Sequence, residues 1–400
     1  MIDSLELFCG TGGLALGLQQ AGFSHKALIE WDRDSCDNIN GNIINGYELI
    51  RNWNVIQADV RSIDFSKRFN GVRLVSGGPP CQPFSLGGKH QANNDKRDMF
   101  PQAVRAVREL RPQAFIFENV KGLLRRSFSS YFNYILLQLR YPDLTIKDGM
   151  SWEEHLSMLE KYHTSEYHDG LIYNVVFRLV NAADYGVPQI RHRVIIVGYR
   201  SDIDANWSFP PATHSKEALL FSKWVSGEYW NNHGLLMPDT VPAKDRSIVE
   251  RVKKYGAKLL PWVTVRDALM GLPEPVEGEE PEIANHEYRS GAKSYPGHSG
   301  SLLDEPSKTI KAGAHGVPGG ENMIVLDDGT QRYYTVRESA RIQTFPDDYL
   351  FYGSWTESMR QIGNAVPVKL AKIIGDSIYK QLERVAVDGL ERWNTSHKAV

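Results

Sequence analysis

The residues best placed to do chemistry lie in one short run, Gly77-Gly78-Pro79-Pro80-Cys81-Gln82-Pro83-Phe84-Ser85. It follows the apolar stretch Val72-Arg73-Leu74-Val75 and sets one cysteine among glycines and prolines. Most cysteines behave as small buried hydrophobes, and buried ones are inert. A cysteine on a stiff turn at a strand end is instead presented to react. As a nucleophile, Cys81 would make this chain an enzyme with a covalent intermediate. The only other cysteines are Cys9 and Cys36. Three cysteines form no disulfide framework, and none pairs with histidine at metal-ligand spacing, so no metal is expected.

A second cluster is Phe8-Cys9-Gly10-Thr11-Gly12-Gly13-Leu14, which follows a strand-like run and opens a helix-like one. Glycines let backbone approach a ligand closely, and a helix start offers free N–H groups. Glu30 ends the second strand-like run, where a carboxylate can accept from ribose hydroxyls. Trp31 follows and can stack on an adenine. Asp59 ends the third run, where it can accept from an adenine amino group. Together they outline a nucleoside pocket at the carboxyl edge of a sheet. A nicotinamide cofactor and S-adenosylmethionine both fit this outline, and the reactive cysteine decides between them.

The elements that must hold these residues read as an α/β doubly wound sheet. Leu5–Phe8, Ala27–Glu30, Asn54–Ala58, Leu74–Ser76 and Ala114–Glu118 read as parallel strands. Leu14–Ala21, Arg33–Asn40 and Phe100–Arg111 read as helices between them. Tyr173–Val180 and Val194–Tyr199 are two further strands. Residues 121–171 read as a helical insertion with no assigned role. From about Ser201 to Tyr334, proline, glycine and tryptophan become frequent, which predicts a smaller domain with little regular structure. A helix over Thr335–Phe345 and a long helix over Val368–Arg384 follow. The second is expected to pack back on the sheet domain, which would then comprise 1–200 and 335–400.

The chain has 400 residues, 42% hydrophobic and 24% charged, the composition of an ordinary globular protein with two domains. It has no apolar run of membrane-spanning length, and it opens straight into a strand, so neither a membrane anchor nor a signal peptide is expected. A formal net charge of -2 does not mark a nucleic-acid binder overall, but a local basic cleft can supply the electrostatics.

The motifs occur in a fixed order: Phe8-x-Gly10-x-Gly12-Gly13, Pro79-Pro80-Cys81-Gln82, Glu118-Asn119-Val120 and Gln189-x-Arg191-x-Arg193. Arg337-Glu338-x-Ala340-Arg341-x-Gln343-x-Phe345-Pro346 and Gln361-x-Gly363-Asn364-Ala365-Val366-Pro367 complete the set. In this the chain closely resembles the bacterial restriction-modification type of DNA cytosine methyltransferases, which modify the 5-position of the base. The resemblance spans nearly the whole chain, except 121–171 and most of 201–308.

The resemblance implies a mechanism. Carbon 5 of cytosine is a poor nucleophile, and addition of a thiolate at carbon 6 makes it enamine-like, able to attack a sulfonium methyl. Cys81 would be that thiolate. Glu118 would donate a proton or hydrogen bond to N3 and hold the exocyclic amine. Arg193 would contact the base carbonyl, Arg191 would bind phosphate or brace the loop, and Asn119 would brace the prolines around Cys81. Phe8, Gly10, Gly12, Gly13, Leu14, Glu30, Trp31, Asp59, Val60, Pro80, Asn364 and Val366 would line the S-adenosylmethionine pocket. Gln82, Ser85, Lys89, Arg97 and Thr309 would meet DNA. The polar segment from Leu86 to Arg97 would be a lid hinged at Gly87 and Gly88. The target base must leave its stack, as it does for methyltransferases generally.

The same resemblance makes the smaller domain the reader of DNA sequence. It offers His214, Asn231, Asn232, His233, Arg246, His286, Arg289, Lys293, His298, Lys308, Lys311 and His315, most of them solvated side chains. The implied partner is double-stranded DNA, with S-adenosylmethionine as methyl donor, in a bacterial cytosol and on the nucleoid when bound to DNA. A monomer is expected, and a cognate endonuclease, where one exists, would not bind stably. Transfer-RNA cytosine methyltransferases share these motifs, but their best-known members carry Cys-Phe-Thr in the small domain, and every cysteine here precedes Gln82. A catalytically silent DNA-binding relative would be expected to lack the cysteine or the Glu-Asn-Val motif. A nicotinamide oxidoreductase would leave the Pro-Cys loop unexplained.

Overall fold

The computed structural model describes residues 2–80, 98–203, 205–293, 299–312 and 322–397. It divides by contacts into two units, one of 1–180, 192–209 and 371–400, the other of 181–191 and 210–370.

The first unit is built on seven strands: β1 (Ile2–Leu7), β2 (Phe23–Glu30), β3 (Val55–Gln57), β4 (Leu74–Gly77), β5 (Ala114–Val120), β6 (Tyr173–Asn181) and β7 (His192–Arg200). Their order across the sheet is β3-β2-β1-β4-β5-β7-β6. The five from β3 to β5 run parallel. Their centres are buried on both faces (Leu5, Val75 and Phe115 on one, Leu74, Ala114 and Ile116 on the other), as expected of a sheet covered on both sides, with Glu6 a polar exception. Helices α1 (Gly13–Gln20), α2 (Arg33–Ile44), α3 (Phe65–Arg68) and α4 (Phe100–Leu110) connect them. Right-handed crossovers send the chain outward in opposite directions from β1 and β4. The crevice for a ligand therefore opens at the carboxyl ends of those two strands. There the backbones approach so closely that a Cβ on Gly77 would lie 2.4 Å from the Leu7 carbonyl oxygen. No other residue fits that position.

β7 runs antiparallel to β5, pairing Val120 with Arg193 and Glu118 with Ile195. A period of apolar residues does not encode direction, so the sequence left this orientation open. β6 closes the edge, with the Ser201 N–H bonded to the Ile172 carbonyl.

Residues 121–171 are part of the main core of this unit. Their helices α5 (Ser129–Arg140) and α6 (Trp152–His163) contribute Tyr131, Phe132, Ile135, Leu139 and Leu159 to the same apolar cluster as Phe115 and Phe117. The segment 335–370 groups with the second unit, not the first. The cause is a set of buried polar ties. Arg332 pairs with Glu338 at 2.7 Å, and Glu338 also caps its own helix through the Thr335 N–H. The long C-terminal helix, Val368–His397, joins the first unit from Ala371. A Cβ on Gly375 would lie 2.9 Å from the Leu18 side chain, Tyr379 stacks edge-on against Phe23, and Arg73 donates to the Leu382 carbonyl.

The second unit is more regular than its composition suggests. It holds helices Lys216–Trp224, Glu228–Asn232, Arg246–Tyr255, Val265–Leu269, Val336–Ile342 and Trp355–Asn364, and a three-stranded sheet of Ser301–Leu302, Met323–Val325 and Gln331–Tyr333. Ser215 caps the first of these helices, and Thr264 with Asp267 forms a capping box on the fourth. Both signals are visible in the sequence beneath the prolines.

One core residue carries a testable charge. Glu6 lies in the centre of β1, 1% exposed, and accepts from the Ser76 hydroxyl at 3.0 Å. Burial pushes its carboxyl up to about 8 from an ordinary 4.5, so the folded protein keeps its proton where the unfolded chain has released it. The folded state then binds more protons between pH 4.5 and 8, and stability falls as pH rises through that window. Glu6→Gln keeps an acceptor for Ser76 and removes the charge. Thermal unfolding across pH 5 to 8 should show wild type and variant close together at the acid end. At pH 8 the variant should be more stable by on the order of 4 kcal/mol. Parallel curves would show that Glu6 does not titrate in the fold.

Candidate active site

The turn after β1 is shaped by backbone conformation. Phe8, Gly10 and Gly12 all have positive φ, at 55°, 52° and 84°. For a phenylalanine this is an uncommon conformation, and such residues cluster where a ligand must be met. Nothing lies within 4 Å of the position a Cβ on Gly10 would take, so the turn has open space on that side. Gly12 packs against the Trp53 ring, and Gly13 and Leu14 open α1. Asn38, on α2, donates to the Thr11 hydroxyl at 2.7 Å and steadies the turn. Sequence reading missed Asn38, and its signal was a polar residue on the helix face that must pack inward.

Glu30 ends β2 and ties that turn to its neighbour. One carboxylate oxygen accepts from the Gly10 N–H, the other from the Trp31 and Asp32 N–H groups, each at 2.9 Å. The side chain is thereby fixed at the mouth of the crevice, and Trp31 beside it is 73% exposed. Asp59 and the buried Val60 follow β3. Arg61 bonds both Asp59 carboxylate oxygens, which holds that carboxyl below its ordinary value. An open glycine turn, a fixed carboxylate and an exposed indole at one strand edge suit a nucleoside with a charged tail, so these residues fit S-adenosylmethionine.

The neighbouring strand ends make a second group. The Asn119 side-chain amide donates to the Pro79 carbonyl at 2.9 Å, which anchors the Pro79-Pro80 turn to β5. The Met99 N–H donates to the Pro80 carbonyl, so the described residues on either side of 81–97 meet. Cys81, Gln82, Ser85, Lys89 and Arg97, with the segment read as a lid, lie outside the described residues.

Glu118 faces this turn. Its Oε1 lies 2.6 Å from Arg193 Nε across the antiparallel β5–β7 pair. Its Oε2 lies 3.5 Å from where a Cβ on Gly78 would be, so a glycine there keeps that oxygen uncovered. Both side chains are nearly buried, 10% and 13% exposed. Burial lowers the Arg193 guanidinium from its ordinary value, with Glu118 opposing the shift. The result is a carboxylate aimed along the Pro79-Pro80 turn and a cation behind it, in a site sheltered from water.

Arg191 is placed differently from its partner in the motif. It lies in the second unit, 0% exposed, and donates to the carbonyls of Ile310, Gly363 and Ala365. Burial leaves it no surface for a phosphate, so of its two expected roles only bracing remains. Its bonds grip the chain on both sides of Asn364, which is exposed while Val366 is buried. Gln189 extends the brace through the Gln343 side chain and the Ile310 N–H. The Thr309 hydroxyl donates to the Ile190 carbonyl at 2.8 Å. Two of the polar residues offered for reading DNA are internal instead: His286 is buried between Thr335 and the Pro273 carbonyl, and His233 bonds Asp267. His298 and His315 lie outside the described residues.

The family model for C-5 cytosine-specific DNA methylase matches residues 2–146 and 149–380. The type II methyltransferase M.PspPI of Psychrobacter sp. (strain TA137) is 33% identical over 393 residues, covering 97% of this chain and 81% of that protein. The type II methyltransferase M.NgoMIV of Neisseria gonorrhoeae is 31% identical over 390 residues, covering 95% and 98%. Among solved structures, the Dnmt2 methyltransferase of S. pombe is similar in fold, with a TM-score of 0.55 at 16% identity, covering 96% of this chain and 99% of that one.

Proposed function

The chain belongs to the family of C-5 cytosine-specific DNA methylases, and from that premise we propose that it methylates carbon 5 of cytosine within a short duplex DNA sequence. The reading has it act in a bacterial cytosol as the protective methylase of a restriction-modification system. The observation that carries it is the sheltered Glu118–Arg193 pair set against the Pro79-Pro80 turn that leads to Cys81.

The chain's residues then have distinct tasks. The Cys81 thiolate adds to carbon 6 of a flipped-out cytosine, forming the S–C6 bond and giving carbon 5 enamine character. Glu118 meets the charge that this addition builds at N3 and holds the exocyclic amine. Arg193 sets the carboxylate in place and faces the base carbonyl. Asn119 fixes the turn that carries the nucleophile. The Gly10–Gly12 turn, Glu30 and Trp31 hold S-adenosylmethionine, which when bound supplies an electrophilic methyl group. Loss of the carbon 5 proton to a base and cleavage of the S–C6 bond restore the aromatic ring and free Cys81.

Bisulfite sequencing of plasmid recovered from cells expressing the chain tests this directly. Cytosines should be protected from conversion at one short recurring sequence. A fully converted plasmid, with methylated cytosine in cellular RNA instead, would move the activity to RNA and overturn the DNA reading.

A further inference from the structure

The strand that ends in Glu118, Asn119 and Val120 runs on into a turn of 3-10 helix, Lys121–Leu124, followed by a second, Arg126–Phe128. The turn is rigid. Leu123 and Phe128 are buried in the main core, and the Arg125 and Phe128 N–H groups bond the Gly122 and Arg125 carbonyls. Arg125 and Arg126 between these anchors, and Lys121 just before them, are exposed. None of the three has a salt bridge or side-chain hydrogen bond among the described residues.

Several other arginines of this unit are neutralised. Arg33, Arg51, Arg61, Arg105, Arg111 and Arg200 each pair with a carboxylate. The sequence also withholds acids locally, with no aspartate or glutamate from Lys121 to Pro142. Three uncompensated cations on a fixed turn make a local positive surface on a chain of net charge -2. It begins one residue beyond Val120, which pairs with Arg193 at the candidate active site.

We propose that Lys121, Arg125 and Arg126 form a phosphate-binding rim that holds the DNA backbone beside the base presented to Glu118. The inference rests on the reading given under Proposed function and extends it to a part of the chain that sequence reading left without a role. Charge selects the partner. A polyanion with regularly spaced phosphates meets all three cations, and continuity with the strand end of Glu118 selects the strand that carries the target base. Such contacts position the duplex and carry no sequence information.

The test compares wild type, Arg125→Ala/Arg126→Ala and Arg108→Ala. Arg108 is another arginine without an ion pair, in the last turn of α4 and so at the opposite, amino edge of the sheet. Binding of a duplex carrying the methylated sequence is measured from about 50 to 200 mM salt, the range in which phosphate contacts dominate. The double variant should bind more weakly, with its salt slope reduced by roughly two. Its deficit against wild type should shrink by roughly 10-fold across that range. Arg108→Ala and the conservative Arg125→Lys/Arg126→Lys should keep the wild-type slope. S-adenosylmethionine binding by calorimetry should be equal in all four proteins, which shows that the fold is intact. A double variant with wild-type affinity and slope overturns the rim, as does an equal loss in Arg108→Ala. A wild type that binds no duplex overturns the underlying reading, and the rim with it.

Discussion

Cys81→Ser is expected to lower methyl transfer by roughly 10^4-fold or more while S-adenosylmethionine binding is unchanged, because removing an enzyme's nucleophile leaves only binding and electrostatic contributions. A serine hydroxyl has nearly the same volume but is a far weaker nucleophile at neutral pH. It cannot add to carbon 6, and without that addition carbon 5 has no electron density to offer. The residues proposed to hold the cofactor (the Gly10–Gly12 turn, Glu30 and Trp31) lie at other strand ends and do not depend on the thiol. Methyl transfer from labelled donor and calorimetric binding separate the two effects. A companion measurement asks for the adduct itself. Duplex DNA with 5-fluorocytosine at the target should trap wild-type protein in a covalent complex stable to denaturant, since fluorine cannot leave carbon 5 as a proton. Cys81→Ser should give none. An active Cys81→Ser enzyme would sink the covalent mechanism.

The second large effect concerns Glu118 and Arg193. Glu118→Gln preserves the shape of the side chain and removes its acid function, so turnover should fall by about 10^2- to 10^4-fold, the usual worth of a positioned acid. DNA and cofactor affinity should change little. Arg193→Ala should do something Glu118→Gln does not. It leaves a nearly buried carboxylate without its cation at 2.6 Å, and breaking a buried pair costs about 3–5 kcal/mol. Thermal unfolding should therefore show a large loss for Arg193→Ala and a smaller one for Arg193→Ala/Glu118→Gln, which removes both charges. If the double variant is no more stable than Arg193→Ala, the pair is not the reason for the loss.

The first half of the sheet was legible because its signals are local. Apolar runs such as Phe115-Ile116-Phe117 read as a buried strand, and their ends put Glu30, Asp59 and Glu118 at one edge without knowledge of any contact. What could not be read was long-range. Arg191 and Arg193 are two residues apart and look alike in sequence. One pairs with Glu118 across β5 and β7, while the other is buried against carbonyls 119 to 174 residues away. Spacing says nothing of such partners. The direction of β7 escaped for the same reason, because alternation of apolar residues is identical for parallel and antiparallel neighbours. In 121–171 the aromatic residues Tyr131, Phe132, Tyr134 and Tyr141 were visible, and their number should have signalled a share in the core.

The division of the chain also bears on how its second unit could be exchanged between related genes. Nearly all of the second unit is one uninterrupted stretch, 210–370, so a single recombination event between related genes can exchange it as a cassette. The exception is the strip 181–191, encoded upstream. Its Gln189 and Arg191 grip Ile310, Gln343, Gly363 and Ala365 inside the cassette. A Cβ on Gly363 would lie 2.3 Å from the Ala312 backbone nitrogen, so one end of that grip tolerates no drift. Hybrid genes built by exchanging 210–370 should therefore yield folded protein chiefly when donor and recipient agree at these few positions, however far the rest has diverged.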